Sequence, residues 1–504
     1  MRLAQLKIHD TPGPLLPFLK QLRVIQPNEL SISQLPLFFT ESLRSLEATG
    51  VPTNQQSAFL SFLITLIGEA PLLSTITLGP GSFTSKCLNA CLKFDHLSHL
   101  EILDAASSIN FKFLVAIGGL PELETFILNA RTAAYKPPPV AILKQDVLSS
   151  PIPQGPECSA FRIHFEVPSQ PPLPNPTPII PTNSQSCEPI STQSPSGSLD
   201  RAATVGRFYR LRRLDITGSF PLIRDLYEHV ISMDLERLGM TLVHVEEPAD
   251  VQKGKNLNKT SSASISKIRK PPPASKIDSE IDSFFALVRN AVVEQWPLTL
   301  KSVRLGHLPG YPTDDDGYSA PPPVALPFTA FAMLLKHEIL EDLEISGWAL
   351  PYNSENKHPI DEILQAALPN LKTIHLPVHG PTPGIQIDQL LPIVRAFPRL
   401  VSLQCGFEQP ATCAIPMTPV VDIPLHGLKV FSVGHQNQSA IDLKQQLRIA
   451  SFLDILFPNL ERIETHTGHH AEVWAYIYEF IKMCQASRIN HANRLSCGAQ
   501  LSRS

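Results

Sequence analysis

The sequence has few cysteines, no marked excess of either charge and no hydrophobic run long enough to cross a bilayer. Eight cysteines among 504 residues, with no CxxC pair, exclude a disulfide framework and a thiolate zinc module. The net charge of -4 excludes a generally basic nucleic-acid-binding protein. The apolar stretch from Ala58 to Gly68 is far shorter than the about 20 residues of a membrane helix. The opening MRLAQLKIHD also lacks the apolar run of a secretory signal, so we expect a cytoplasmic or nuclear protein that contacts no membrane.

The common catalytic motifs are missing as well. The chain contains no GxSxG, GxxxxGK[ST], HExxH or GxGxxG sequence. A cluster of histidines, His466, His469 and His470, offers the best candidate metal or catalytic site, but no carboxylate stands near it in a ligand-like spacing. We therefore expect no catalytic residue, no metal and no cofactor. A hydrolase or metal-dependent enzyme that uses the histidine cluster is the alternative.

Proline, in contrast, is abundant, with 49 residues against a usual share of about 5%. Part of the excess lies in the segment 168–181, PSQPPLPNPTPIIP, which continues into Ser-rich text. The segment 251–276 carries Lys and Arg residues but no acid. Neither composition favours a packed core, and we interpret both segments as insertions that form solvated loops.

The remaining sequence repeats one phrase, in which leucines are spaced three and then two residues apart, often after a proline. LPELETFIL from Leu120 and LPNLKTIHL from Leu368 are clear copies. Thirteen copies begin at the following anchor leucines: Leu3, Leu43, Leu73, Leu97, Leu123, Leu211, Leu235, Leu300, Leu340, Leu371, Leu400, Leu428 and Leu460. Several neighbouring anchors, such as Leu73 and Leu97 or Leu371 and Leu400, lie 24 to 29 residues apart, which is the interval of leucine-rich repeats. The two widest gaps each contain one of the insertions.

This repeat predicts an α/β leucine-rich-repeat solenoid with short parallel strands on the concave face and helices on the convex face. Segments such as 57–70 and 441–457 show the apolar spacing of helices. The asparagine that many such repeats carry at the turn is missing, so we expect an irregular solenoid whose turn amides are satisfied by other means. The predicted organisation is N-terminal repeats at 1–145, an insertion at 146–206, central repeats at 207–248, a basic loop at 249–277, C-terminal repeats at 278–484 and a tail at 485–504.

Strand phase predicts which residues face outward. The last two apolar residues of each phrase share the buried face, because side chains alternate along a strand, and the third and fifth positions point away from it. In the middle copies these positions are Arg213, Asp215, Arg237, Ser302, Arg304, Asp342 and Glu344. A basic cluster would thus lie beside an acidic pair. Two interpretations stay open, namely a binding site for a protein partner and charges that only keep the exposed surface soluble.

Three stretches resemble a known family: LRRLDITGSFPLIRDLYEHV from Leu211, HGLKVFSVGH from His426 and IASFLDILFPNLERI from Ile449. They are similar to the degenerate leucine-rich repeats of fungal F-box proteins. In that family an N-terminal helical F-box binds a Skp-type adaptor of a ubiquitin ligase, and the repeats recognise the substrate. The nearest text to an F-box, IQPNELSISQLPLFF from Ile25, lies between repeat strands and departs from the motif. The resemblance implies a non-catalytic scaffold with a protein partner on the concave face.

Overall fold

The computed structural model describes most of the repeat sequence and leaves out the predicted insertion at 168–181 and most of the one at 251–276. The described residues are 16–27, 29–80, 84–103, 109–131, 207–244, 274–308, 323–351, 359–366, 368–378, 384–407, 426–435, 442–465 and 471–501. They belong to one compact unit, formed by Met1–Pro137 together with Val205–Ser504.

A single open sheet runs through this unit. Within the described residues it has thirteen strands, all parallel, and each strand pairs only with its neighbours in chain order. The strands are β1 Gln21–Ile25, β2 Ser45–Thr49, β3 Thr75–Leu78, β4 His99–Ile102, β5 Thr125–Asn129, β6 Arg213–Gly218, β7 Arg237–Val243, β8 Ser302–Leu308, β9 Asp342–Ser346, β10 Thr373–His375, β11 Ser402–Phe407, β12 Val430–His435 and β13 Arg462–Thr465. This order makes a strand-by-strand repeat and confirms the predicted α/β class.

Helices alternate with the strands, as parallel pairing requires, because the chain must return to the same edge before each new strand. The described helices are α1 Glu29–Gln34, α2 Gln56–Glu69, α3 Ser85–Cys91, α4 Phe111–Gly118, α5 Phe220–Tyr227, α6 Ala274–Arg289, α7 Phe328–Leu334, α8 Pro359–Gln365, α9 Leu390–Ala396, α10 Leu443–Leu456 and α11 Ala471–Leu501. A π-helical turn, Asn290–Gln295, continues α6. The predicted helices at 57–70 and 441–457 correspond to α2 and α10. None of the described helices combines the length and apolar character needed to cross a membrane.

The core is built from two ladders of apolar side chains on one face of the sheet. Leu214 of β6 aligns with Phe126 of β5 and Leu238 of β7, and all three are almost completely buried. Two residues further along, Ile216 aligns with Met240 in the same way. In β6 the residues between these buried positions are half-exposed. The buried ladders therefore run across strand boundaries and join the repeats into one core.

Twelve of the thirteen predicted anchors stand two residues before a strand. Leu211, for example, is completely buried and precedes β6. Leu3 lies outside the described residues. The sequence analysis missed β1, whose phrase runs through Leu19, Leu22 and Val24. The phrase at Leu19 matches the repeat, and its pairing with β2 identifies it as a strand of the sheet.

Two predicted boundaries are wrong. Helix α6 begins at Ala274, inside the predicted loop 249–277, because its apolar spacing already includes the buried Ile281 and extends upstream of it. Helix α11 continues to Leu501 through the predicted tail at 485–504. The Gln485 side-chain amide donates to the carbonyl oxygen of Leu460 at 3.1 Å, and Arg488 pairs with Asp454 of α10. These contacts bind the start of the supposed tail to the preceding repeat.

Backbone groups where the strands begin are satisfied without an asparagine ladder. The carbonyl oxygen of Arg212 accepts hydrogen bonds from the amides of Glu236 and Arg237, at 2.8 and 3.0 Å. The carbonyl of Glu236 accepts in the same way from Lys301 and Ser302. This unit recurs along the described sheet. Each repeat thus supplies the acceptor for two amides of the next, which meets the requirement that buried backbone donors be paired.

Candidate functional site on the open face of the sheet

The face of the sheet opposite the core, called the open face below, carries a shallow depression across β6 to β10. Its volume is about 230 Å³. The residues that line it are Arg213, Asp215, Arg237, Leu238, Ser302, Val303, Arg304, Asp342, Leu343, Glu344, Thr373 and His375. All six charged residues singled out from the strand phase are among them, together with Ser302. The structure therefore brings together side chains that are up to 131 positions apart in the sequence.

Parallel register explains why these residues meet. One row across the sheet contains Arg213, Arg237, Ser302, Asp342 and Thr373, which are aligned partners on successive strands. The row two residues further along contains Asp215, Gly239, Arg304, Glu344 and His375. Neighbouring strands lie about 4.8 Å apart, so side chains of adjacent members are within reach of one another.

Four of the six charges neutralise each other in pairs. Arg213 Nε donates to Asp215 Oδ2 on its own strand at 2.7 Å. Arg304 Nε donates to Glu344 Oε2 on the next strand, also at 2.7 Å, and its Nη2 reaches the same oxygen. The carboxylates are the less exposed partners, at 19% for Asp215 and 27% for Glu344. These pairs hold two arginine side chains against the walls of the depression.

The remaining two charges lie on either side of Ser302. Among the described residues, neither Arg237 nor Asp342 has an ion pair or a side-chain hydrogen bond. Arg237 is exposed and Asp342 is half-buried. Because Ser302 has a short side chain, the space between them stays open. The depression is thus electrically neutral as a whole, and it presents Arg237 and Asp342, neither of them in an ion pair among the described residues, on either side of Ser302.

Glycine at position 239 makes room for the Arg213–Asp215 pair. A Cβ atom there would lie 2.0 Å from Asp215 Oδ1. The Asp215 carboxylate therefore occupies space over β7 that any other residue at 239 would fill.

His375 completes the far wall, and the sequence analysis did not single it out. Burial is the main cause that lowers the pKa of this imidazole. The nearby charge of Glu344 raises the pKa, and that of Arg304 lowers it. Its Nε2 lies 2.9 Å from Ser402 Oγ. The third and fifth positions of the phrase anchored at Leu371 are Thr373 and His375, so the strand phase would have predicted both.

A separate row of charges follows the edge where the strands begin. Lys301 Nζ lies 3.6 Å from Glu236 Oε2, and Lys372 Nζ lies 2.6 Å from Glu341 Oε2. The hydrogen bond from Lys372 lowers the pKa of Glu341. These cross-strand pairs join neighbouring repeats. These pairs have a signal in the sequence. The residue after the anchor alternates between a basic and an acidic side chain from Leu211 to Leu371, namely Arg212, Glu236, Lys301, Glu341 and Lys372.

The histidine cluster proposed for an alternative enzyme, His466, His469 and His470, lies outside the described residues. Within the part of the chain that is described, no group of three or more His, Cys, Asp or Glu side chains is arranged to hold a metal ion.

A larger groove of about 910 Å³ lies on the helical side, between α6 and α7. Phe285, Leu298 and Met333 contribute apolar surface to it, while Arg289 and Lys336 stand at its rim. None of the residues predicted from the strand phase lines this groove.

No family model matches this chain, and no curated protein is significantly similar to it.

Proposed function

We propose that this chain is a leucine-rich-repeat protein that acts as a non-catalytic scaffold and binds a protein partner on the open face of its sheet. The repeat length of about 24 to 29 residues is typical of the long, helix-bearing class of such repeats. Solenoids of this class present a concave strand face to their partners. On this proposal the open face is the concave one.

The observation that carries the proposal is the convergence of six charged side chains on one depression. They come from β6 to β9, four strands separated in sequence by helices and an insertion. Charges that served only solubility would not need a shared cavity or partners fixed at 2.7 Å. Arginine fixed in this way is also the cationic side chain most enriched at protein interfaces.

The likeness to F-box proteins suggests the kind of scaffold, namely the substrate-recognition region of a ubiquitin-ligase receptor. The segment nearest to an F-box motif folds as α1 and a 3-10 turn, Leu35–Phe38, between β1 and β2. It thus belongs to the repeat. A Skp-type adaptor would need another contact surface, and its binding is a separate question for experiment. The four cysteines of the described residues are free thiols, which supports a reducing compartment such as the cytoplasm or nucleus.

Affinity purification of three forms of the protein tests the proposal. The first is wild type, and the second carries Arg213→Ala, Arg237→Ala and Arg304→Ala. The third removes three exposed basic residues of the helical layer, Arg289, Lys336 and Lys444, and so matches the second in net charge.

We expect wild type and the helical-layer variant to retain the same proteins, and the open-face variant to lose them. Equal retention by all three forms would refute binding at the open face. Recovery of a Skp-type adaptor with all three forms would support the ligase-receptor assignment, whereas its absence beside other retained proteins would support a scaffold outside the ligase.

A further inference from the structure

Two charges of the depression form no ion pair among the described residues, and they define the chemistry of a ligand. Arg237 and Asp342 are separated by one strand, on which Ser302 is the aligned residue. With strands about 4.8 Å apart, their Cα atoms lie roughly 10 Å from each other. Both side chains stand on the same row and point away from the core. The pair therefore places a positive and a negative charge on opposite sides of the floor of the depression.

We propose that the open face recognises a protein segment that carries an acidic and a basic side chain roughly 10 Å apart on one surface. The carboxylate of the segment binds Arg237, and its ammonium or guanidinium group binds Asp342. This inference rests on the proposed function and names the chemistry of the partner. It goes beyond the proposed function because it specifies the two charges of the partner and the distance between them.

Charge balance argues against a ligand of one sign. A purely acidic segment would gain contact with Arg237 but would also face Asp342 and the neighbouring Glu344. A purely basic segment would face Arg237 and Arg213. Like charges placed opposite one another at an interface cost several kcal/mol and exclude wrong partners. A nucleic-acid backbone would meet the same repulsion, since its binding depends on an excess of positive charge.

The shape of the depression argues for a protruding protein segment instead of a small molecule. A volume of about 230 Å³ lies below the roughly 300 to 1,000 Å³ of pockets that enclose drug-sized ligands. Ser302 has a short side chain and leaves a shallow floor, while the paired Arg213 and Arg304 form ordered walls. Walls that are already ordered reduce the entropy lost on binding.

A set of designed peptides tests the inference. The probes are four alanine-rich helices, immobilised at equal density, that carry Glu and Lys, two Glu, two Lys or two Gln at positions seven residues apart. Seven residues span about 10.5 Å of helix, which matches the separation of the two charges. Binding of the full-length protein is measured on each surface.

We expect wild type to bind the Glu/Lys peptide at least about fivefold better than the other three, the scale of one good charge contact. Asp342→Lys should shift the preference to the Glu/Glu peptide, and Arg237→Glu should shift it to the Lys/Lys peptide. The double variant should prefer Glu/Lys again, because the helix can bind in the opposite direction.

Two matched controls carry the same changes in net charge elsewhere on the open face. Arg23→Glu and Glu47→Lys alter an ion pair between β1 and β2, where Arg23 Nε lies 2.6 Å from Glu47 Oε2. Neither should change the order of peptide binding. If a charge variant fails to fold, Arg237→Gln and Asp342→Asn replace it, and each should lose the Glu/Lys preference.

The inference is overturned if wild type binds all four peptides equally or not at all, or if the controls shift the preference as the site variants do. Its failure is distinct from failure of the proposed function. A protein that shows no peptide preference, yet loses its purified partners in the triple arginine variant, would still be an open-face scaffold.

Discussion

Strands β2 to β5 and strands β6 to β9 share one backbone plan but differ on the open face. In both groups the buried positions are apolar, as Leu100 of β4 and Leu214 of β6 illustrate. The aligned outward positions differ. In the first group they are Ser45, Glu47, Thr75, Thr77, His99, Glu101, Thr125 and Ile127. In the second group they are Arg213, Asp215, Arg237, Gly239, Ser302, Arg304, Asp342 and Glu344. The sheet forms equally well with small polar residues or charges outward, so the middle charges are not a requirement of the fold.

The buried ladders should be equally costly to disrupt in either group. Leu100→Ala and Leu214→Ala each remove a completely buried side chain, and each should lower the free energy of unfolding by roughly 2 to 5 kcal/mol. Adjacent repeats should be destabilised with them, because each repeat packs only on its neighbours. Chemical denaturation of both variants measures the effect. If Leu214→Ala leaves the free energy of unfolding unchanged while Leu100→Ala lowers it as expected, the assignment of buried and outward residues in the middle strands is wrong.

Low pH should destabilise the second group of strands more than the first, because a strand of the second group buries a histidine, His307, almost completely. Burial, followed by the neighbouring His244, lowers the pKa of His307 in β8 to about 4. The His307 ring packs 5.0 Å from His244 and 4.6 Å from Trp348, and Glu280 stands 3.9 Å from His244.

The folded state therefore keeps His307 neutral while the unfolded chain takes up a proton below about pH 6.5. Stability is complete above that pH and falls as pH decreases towards 4, by about 3 kcal/mol for this group. Thermal melting across this range measures the loss, and His307→Phe should remove most of it. In β4, His99 is half-buried and its pKa is lowered mainly by burial, so His99→Gln should flatten the profile less. An unchanged profile in His307→Phe would contradict the assignment.

Removal of the open-face arginines should have the smallest effect on folding. Arg213, Arg237 and Arg304 are at least partly exposed, and substitution at such surface positions usually changes stability by no more than about 0.5 kcal/mol each. The triple alanine variant should keep the far-ultraviolet circular dichroism and melting temperature of wild type, as should Arg23→Ala in β1. If the triple variant unfolds while Arg23→Ala does not, the middle strands need their charges to fold. The charges would then be a requirement of the fold in the second group of strands.

Much of the fold could be predicted because its signal is local. An apolar residue at every second position of a strand indicates which face is buried, and this holds for Leu214 and Ile216 as for the other described repeats. The same phase placed Arg213 and Asp215 on the open face. The features that the sequence analysis missed depend on contacts between distant parts of the chain. The strand at Leu19 is established by its pairing with β2, and the extent of α11 depends on contacts of Gln485 and Arg488 with the preceding repeat.

The sequence by itself determined the repeat, the direction of each side chain and the membership of the charged surface, because strand periodicity and repeat length are properties of short stretches of chain. Only the tertiary structure decided which charges cancel. Arg213 pairs with Asp215 on its own strand, whereas Arg304 pairs with Glu344 across 40 positions of sequence. Arg237 and Asp342 are left over only after register and rotamers are set. An ion pair forms where two flexible side chains meet within about 4 Å, and that distance is a property of packed strands.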